Sequence, residues 1–199
     1  MGAATHIKSS LLLKMSNVEA AFRNLHQDLL DGCKEGDQKA QFQIYKLYYK
    51  AMYNTSLRIV NDTMEAEDIM QESFLSAFEK IDTYSGAVSF GAWLKKIVVN
   101  RSLDALNKRK GIFEDIDTHT ALRDESDDYL SSSEEVDVRV EEVKEAIERL
   151  PDGYRIILSL YLLEGYDHDE IAEILSINSS TSRSQLSRAK QKLIAELRR

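Results

Sequence analysis

Arg183, Ser184, Ser187 and Arg188 fall at i, i+1, i+4 and i+5, which on a helix is one continuous face. Two guanidiniums with two hydroxyls between them suit base edges and phosphates, since arginine bonds guanine through two parallel hydrogen bonds and serine adapts to either kind of partner. These residues lie in "SSTSRSQLSRAKQKL", residues 179–193. From 181 onward Arg183, Arg188, Lys190, Lys192, Arg198 and Arg199 stand against Glu196 alone, although the 199-residue chain carries a formal net charge of −8. A basic tip on an acidic protein calls for an acidic partner.

A second run of cations, Lys95, Lys96, Arg101, Lys108, Arg109 and Lys110 against Asp104, lies in "FGAWLKKIVVNRSLDALNKRK". It suits phosphates, and equally a solvated face whose basic C-terminus complements the helix dipole. Asp68, Gln71, Glu72 and Leu75 share one face of "MEAEDIMQESFLSAFEKI". That face is either solvated, which spacing alone favours, or an acidic docking surface with an apolar centre. An enzyme finds no support: there is no nucleophile–base pair, glycine-rich phosphate loop or metal cluster, and no cofactor is expected. The lone Cys33 forms no internal disulfide, and His6, His26, His119 and His168 show no metal-ligand spacing, so Cys33 is expected in helix packing. No run of about 18 apolar residues predicts membrane insertion, "SSLLLKM" is short for a signal peptide, and the cytoplasm is the expected compartment.

The elements that must position these groups are helical. One proline and eight glycines leave few breaks, and abundant Leu, Ala, Glu, Lys and Gln favour an all-α fold. Residues 111–150 carry 14 acidic groups against 4 basic ones, and Gly111 to Ser133 has no sustained apolar period, as in a solvated linker. The chain therefore divides into an extension expected to be disordered (1–15), a first domain (16–110), an acidic linker (111–133) and a second domain (134–199). In the first domain Ser16 and Glu19 resemble a capping box, and Val18, Phe22, Leu25 and Leu29 follow a helix that ends near Gly36. A second helix after Asp37 sets Phe42, Tyr45, Tyr49, Met52 and Leu57 on one face, the tyrosines being expected in the core, until Asn61-Asp62 interrupts it. Ala66, Met70, Phe74, Ala77 and Ile81 form the buried stripe of a third. Phe90, Trp93, Leu94, Ile97, Val98, Leu103 and Leu106 do so for a fourth.

The second domain begins after Ser132 and Glu135 with a helix over 134–150, breaks at "PDG", and continues as a helix to Gly165. Asp167 and Glu170 open the next helix, the turn "SINS" follows, and the basic segment comes last. Short helix, tight turn and longer basic helix is the order of a helix-turn-helix, with the small Ala172 at the crossing. The segment 179–193 is then a recognition helix for the major groove. Its serines and threonine cap its start, and Leu186, Ala189 and Leu193 hold its inner face.

Taken together, "EAEDIMQESFLSAFEKI", "SFGAWLKKIVVNRSLDAL" and "GYDHDEIAEILSINSSTSRSQLSRAKQKL" resemble, in this order, the extracytoplasmic-function sigma factors of bacterial RNA polymerase. The resemblance covers residues 30 to 197 and implies sigma domain two, a linker and sigma domain four, with no third domain between. It implies that Asp68, Gln71 and Glu72, with Leu75 on the same face, dock on the β′ clamp helices. It also implies that Tyr84, Ile97 and Asn100 receive a base flipped from the melted minus-ten element, with Arg101 and Lys108 on phosphates and Trp93 packing the domain. Arg183, Ser184, Ser187 and Arg188 match positions that read the minus-35 element. The implied partners are core RNA polymerase (β′ clamp helices and β subunit), promoter DNA and an anti-sigma factor.

Three departures stand out. Ser176 occupies a turn position that commonly holds glycine, so a positive φ there would mean a strained or altered turn. Ser182 replaces an apolar packing residue, and Gln185 replaces a common arginine. The first fifteen residues match nothing in the resemblance, which makes Met15 an alternative start. The acidic linker fits either occupation of a positively charged RNA channel or a plain tether. The competing functions are a helix-turn-helix regulator without polymerase, which leaves the α-helical acidic face and the second basic helix unexplained, and a helical adaptor without DNA, which leaves both basic helices unexplained.

Overall fold

The computed structural model describes residues 26–110 and 140–198, and these form helices and short turns only. The first unit contains α1 (Gln27–Lys34), α2 (Gln38–Val60), α3 (Thr63–Glu79), a 3-10 turn (Ile81–Thr83) and α4 (Phe90–Lys110). The second contains α5 (Val140–Glu148), α6 (Asp152–Leu158) with a widened π turn over Ser159–Leu163, α7 (His168–Leu175) and α8 (Ser179–Leu197). The capping pairs Ser16/Glu19 and Ser132/Glu135, the first fifteen residues and the 111–133 linker lie outside the described residues.

Side chains mark most boundaries. Asp37 caps α2 by accepting from Lys39 N at 2.8 Å. Asn61 then ends α2 in the left-handed region (φ 54°), and Asp62 caps α3 by accepting from Glu65 N at 2.9 Å. The dipeptide therefore stops one helix and starts the next, because Asn tolerates the left-handed conformation and Asp supplies the acceptor that orphan N–H groups need. Gly32 permits the α1–α2 crossing: a Cβ there would lie 2.9 Å from that of Ala40.

In the first unit Leu30, Cys33, Ile44, Met52, Phe74, Phe90, Leu94 and Val98 form one buried cluster. The α3 stripe Ala66, Met70, Phe74, Ala77 and Ile81 is buried throughout. Two assignments change. Phe42 is 58% exposed and Ile44 takes the core position, since α2 is packed by both α1 and the α3–α4 pair and its buried face turns away from Phe42. The tyrosines are half-buried at the rim, where Tyr45 meets Phe74 edge-on at 5.0 Å and Tyr48 meets Phe90 at 5.5 Å. In α4 the buried face runs through Val99 and Ser102, with Trp93 and Ile97 only half-buried. Ser102 hydrogen-bonds Ser56 at 3.0 Å across the α2–α4 contact, so a small polar pair lets the two backbones approach with its hydroxyls satisfied.

The two units also share a core. Ile59, Val60, Ala66, Ile69, Val99, Leu103 and Leu106 of the first pack into one cluster with Ile147, Ile156, Leu158, Leu160, Ile171 and Leu186 of the second. Sequence reading treated the domains as separate bodies, because periodicity reports which face of a helix is apolar and not which neighbour covers it.

Candidate nucleic-acid interface

The helix-turn-helix is built as its caps require. Asp167 accepts from Asp169 N and Glu170 N, and Glu170 returns a bond to Asp167 N, a complete capping box. Ser176 ends α7 at φ 54°, the left-handed conformation for which glycine is the usual residue. Asn178, rather than the serines or threonine of the segment itself, caps α8 by accepting from Thr181 N at 2.7 Å. Ser180 donates to that same Asn178 oxygen.

Along α8 the inner face of Leu186, Ala189 and Leu193 is buried, while Arg183, Ser184 and Ser187 are exposed and Arg188 is half-buried. Ser184 Oγ donates to Thr181 O at 3.0 Å. Ser182, unexpected for a packing position, is fully buried and lies 2.9 Å from His168 Nδ1. His168 stacks on Tyr161 at 5.0 Å, and Lys190 sits over the same ring. Burial, then Arg183 and Lys190, lower the His168 pKa, holding the imidazole neutral as the hydroxyl's partner. Sequence reading missed His168; its partner is fourteen residues away, outside any helical spacing.

On α3, Asp68, Gln71 and Glu72 are exposed on the face that continues to Leu75, itself 64% exposed. Gln71 donates to Glu67 at 3.2 Å. On α4, Tyr84 from the preceding loop packs against Phe90 and Trp93 (5.6 and 5.4 Å) and donates to Val88 O at 2.7 Å. Burial raises its pKa, so the phenol stays protonated. Ile97, half-buried, and Asn100, exposed, follow Trp93 along the same side of the helix, continuing the aromatic wall as an apolar and then a polar step. Lys108 is exposed, whereas Arg101 is paired with Glu72 at 2.9 Å, joining the α3 and α4 surfaces.

Two α4 cations face the second unit. Lys95 pairs with Glu164 at 3.1 Å and Lys96 with Glu173 at 3.2 Å. No sequence signal links positions 69 and 77 residues apart, and at these two lysines the counter-charge is a carboxylate of the second unit.

Two small helical domains, the second a helix-turn-helix with a basic second helix, define a two-part DNA-binding protein. The family profile for Sigma-70 region 2 matches residues 44–112, and that for Sigma-70 region 4 matches 140–193. The chain is 29% identical over 174 residues to the ECF RNA polymerase sigma factor SigW of Bacillus subtilis, covering 83% of this chain and 92% of that one. It is 31% identical over 178 residues to the ECF RNA polymerase sigma-E factor of Haemophilus influenzae, covering 83% and 91%. In fold it is similar to the sigma factor RpoE of Bartonella quintana, solved with the anti-sigma factor NepR (TM-score 0.54, 22% identity, 78% of this chain and 95% of that one). It is likewise similar to CnrH, solved with the cytosolic domain of CnrY (TM-score 0.52, 20% identity, 85% and 94%). The chain belongs to the extracytoplasmic-function group of the sigma-70 family and is an RNA polymerase sigma factor. Among the described residues no helix is long and apolar enough to cross a membrane.

Proposed function

We propose that this sigma factor divides its work between three surfaces. The outer face of α3, with Asp68, Gln71, Glu72 and Leu75, docks on the β′ clamp helices. The loop around Tyr84 and the α4 side bearing Ile97 and Asn100 take up a base flipped from the minus-ten element, while Arg101 and Lys108 hold phosphates. Arg183, Ser184, Ser187 and Arg188 read the minus-35 element in the major groove. The domains that carry these surfaces run from 16 to 110 and from 134 to 199, with 111–133 as the link. The protein acts in the cytoplasm, where it directs core polymerase without catalysing a step itself. Two similar solved structures are complexes, one with the anti-sigma factor NepR and one with the cytosolic domain of CnrY, and this supports an anti-sigma factor as a partner here.

The observation that carries the polymerase assignment is Leu75. A leucine 64% exposed, one to two turns beyond Asp68, Gln71 and Glu72 on the same face of a helix whose opposite stripe is buried, has the composition of an interface: an apolar anchor beside polar groups. Asp68→Arg combined with Glu72→Arg is expected to abolish capture of core polymerase and promoter-directed transcription, because two reversed charges oppose docking. Helicity by circular dichroism should be unchanged, since both side chains are exposed. Parental capture by a folded variant would remove the assignment.

A further inference from the structure

Reading bases with α8 depends on how the helix is turned, and its inner face carries one group that can fix that turn. Ser182, Leu186, Ala189 and Leu193 share the inward side of the helix, and all four are buried. Leu186, Ala189 and Leu193 are held by apolar contact, which has no direction and tolerates small rotations. Ser182, fully buried, is held by a directional bond instead, its hydroxyl 2.9 Å from His168 Nδ1. It directly precedes Arg183 and Ser184, which face outward at the same end of α8.

The support behind Ser182 is itself fixed. His168 is the first residue of α7, whose start is set by the capping box of Asp167 and Glu170. Its ring stacks on Tyr161, with centroids 5.0 Å apart and planes at 28°, and Tyr161 comes from the widened turn over Ser159–Leu163. Lys190, further along α8, sits over the same tyrosine ring at 5.7 Å. Two side chains of α8 are therefore tied to one stacked His–Tyr pair. A rotation of about 10° moves a group at the side-chain radius of about 6 Å by about 1 Å, and the two parallel bonds of an arginine on guanine do not survive such a shift.

We propose that His168 is a positioning residue for promoter recognition: its neutral ring, with the proton on Nε2, accepts the Ser182 hydroxyl, fixes the rotation of α8 and so aims Arg183 and Ser184 at the bases. The proposal rests on the assignment of α8 to minus-35 DNA and adds to it a residue that touches no base. The charges around the ring make the device sensitive to pH. Arg183 and Lys190 face it from α8, Asp167 and Asp169 flank it on its own helix, and Tyr161 covers one side. Burial and then the two cations press its pKa below the ordinary histidine value, against the smaller opposing pull of the two carboxylates. Protonation puts a third positive charge beside Arg183 and Lys190 and withdraws the lone pair on which the Ser182 hydroxyl rests.

The test uses polymerase holoenzyme reconstituted with the full chain. The parent selects duplexes from a random-sequence pool, and the readout is its affinity for a selected duplex divided by that for the same duplex with the upstream element scrambled. His168→Leu with Ser182→Ala exchanges the polar pair for an apolar one. That variant should keep the parental helicity and unfolding temperature while the ratio falls about tenfold, the weight of one base reader. His168→Asn, whose amide bonds the hydroxyl without a titratable proton, should keep the ratio. Between about pH 7.5 and about pH 5.5 the parental ratio should fall and that of His168→Asn stay level, a pattern that mere packing does not produce. A parental ratio in the folded apolar pair, or a His168→Asn profile that falls with pH as the parent's does, overturns the role of His168. Where the apolar pair fails to fold, the pH profiles decide by themselves. Arg183→Ala measured alongside separates the two levels: if it loses the ratio while the apolar pair keeps it, the positioning alone is overturned, and if it too keeps the ratio, the assignment of α8 falls and the positioning with it.

Discussion

Helices α4 and α8 carry a similar sequence signature, six cations against Asp104 on the first and four against Glu196 on the second, and the fold treats them differently. On α8 the outer face of Arg183, Ser184 and Ser187 is exposed, and the helix is held by its inner stripe and by contacts within its own unit, Glu196 with Arg149 and Lys190 with Tyr161. On α4, Arg101 is tied to α3 and Lys95 and Lys96 to the second domain. A local excess of positive charge therefore says that a helix suits an anion, and not which anion holds it. On α4 part of that anion is supplied by the protein's own carboxylates, Glu72, Glu164 and Glu173.

The largest effect should come from breaking the domain contact at the end of α2, which holds the second unit against the first. Arg155→Leu keeps an apolar filling for part of the site but strips the donors from Arg58 O and Ile59 O, and each buried acceptor left unpaired costs roughly 1–3 kcal/mol. Asp152, about a third exposed, recovers water and adds little. A loss of about 3 kcal/mol is expected in urea unfolding, with the shared cluster loosened. Parental stability would mean that the contact does not form in solution and that the α4–α8 contrast dissolves.

An intermediate effect should come from α8 itself. Arg183→Ala or Arg188→Ala is expected to weaken minus-35 recognition by roughly 1–3 kcal/mol and to relax discrimination at one base pair. Lys192→Ala should instead weaken binding to all sequences alike and flatten the salt slope by about one unit. Titrating specific and scrambled duplexes over a salt series separates the two. Arginine variants that keep the parental specific-to-scrambled ratio would reduce α8 to a second phosphate-binding helix and erase its distinction from α4.

The smallest effect is expected at the turn that launches α8. Ser176 sits at φ 54°, where a Cβ costs roughly 1–2 kcal/mol, partly offset by the greater flexibility of glycine in the unfolded chain. Ser176→Gly should raise unfolding stability by about 0.5–1 kcal/mol without altering DNA affinity. A loss of stability would show that the serine side chain contributes more to the turn than its backbone strain removes.

Much of this was open to inspection in the amino-acid order, because it depends on neighbours within one or two helical turns. Asp37, Asn61-Asp62 and the Asp167/Glu170 box marked helix ends through side chains that bond backbone groups two or three residues away. The stripes of α3 and α8 marked buried faces, and the positive φ at Ser176 was foreseen as a condition of the turn. Spacing put Asp68, Gln71, Glu72 and Leu75 on one face and Arg183, Ser184, Ser187 and Arg188 on another, while the family resemblance gave them roles and added Tyr84, Ile97 and Asn100; of all these, Asp68, Gln71, Glu72, Leu75, Asn100, Arg183, Ser184 and Ser187 are exposed. Tertiary structure decided what depends on distant partners. It exchanged Phe42 for Ile44 in the core, made Asn178 the cap of α8, and justified Ser182 by bringing His168 beside it. Above all it placed Glu164 on Arg58 across 106 residues of chain, and Arg155 on the last turn of α2. A helix records in its own sequence which face is apolar and where its ends are satisfied. The element that comes to lie against it depends on the packing of the whole chain, and there the charges of α4 found their partners.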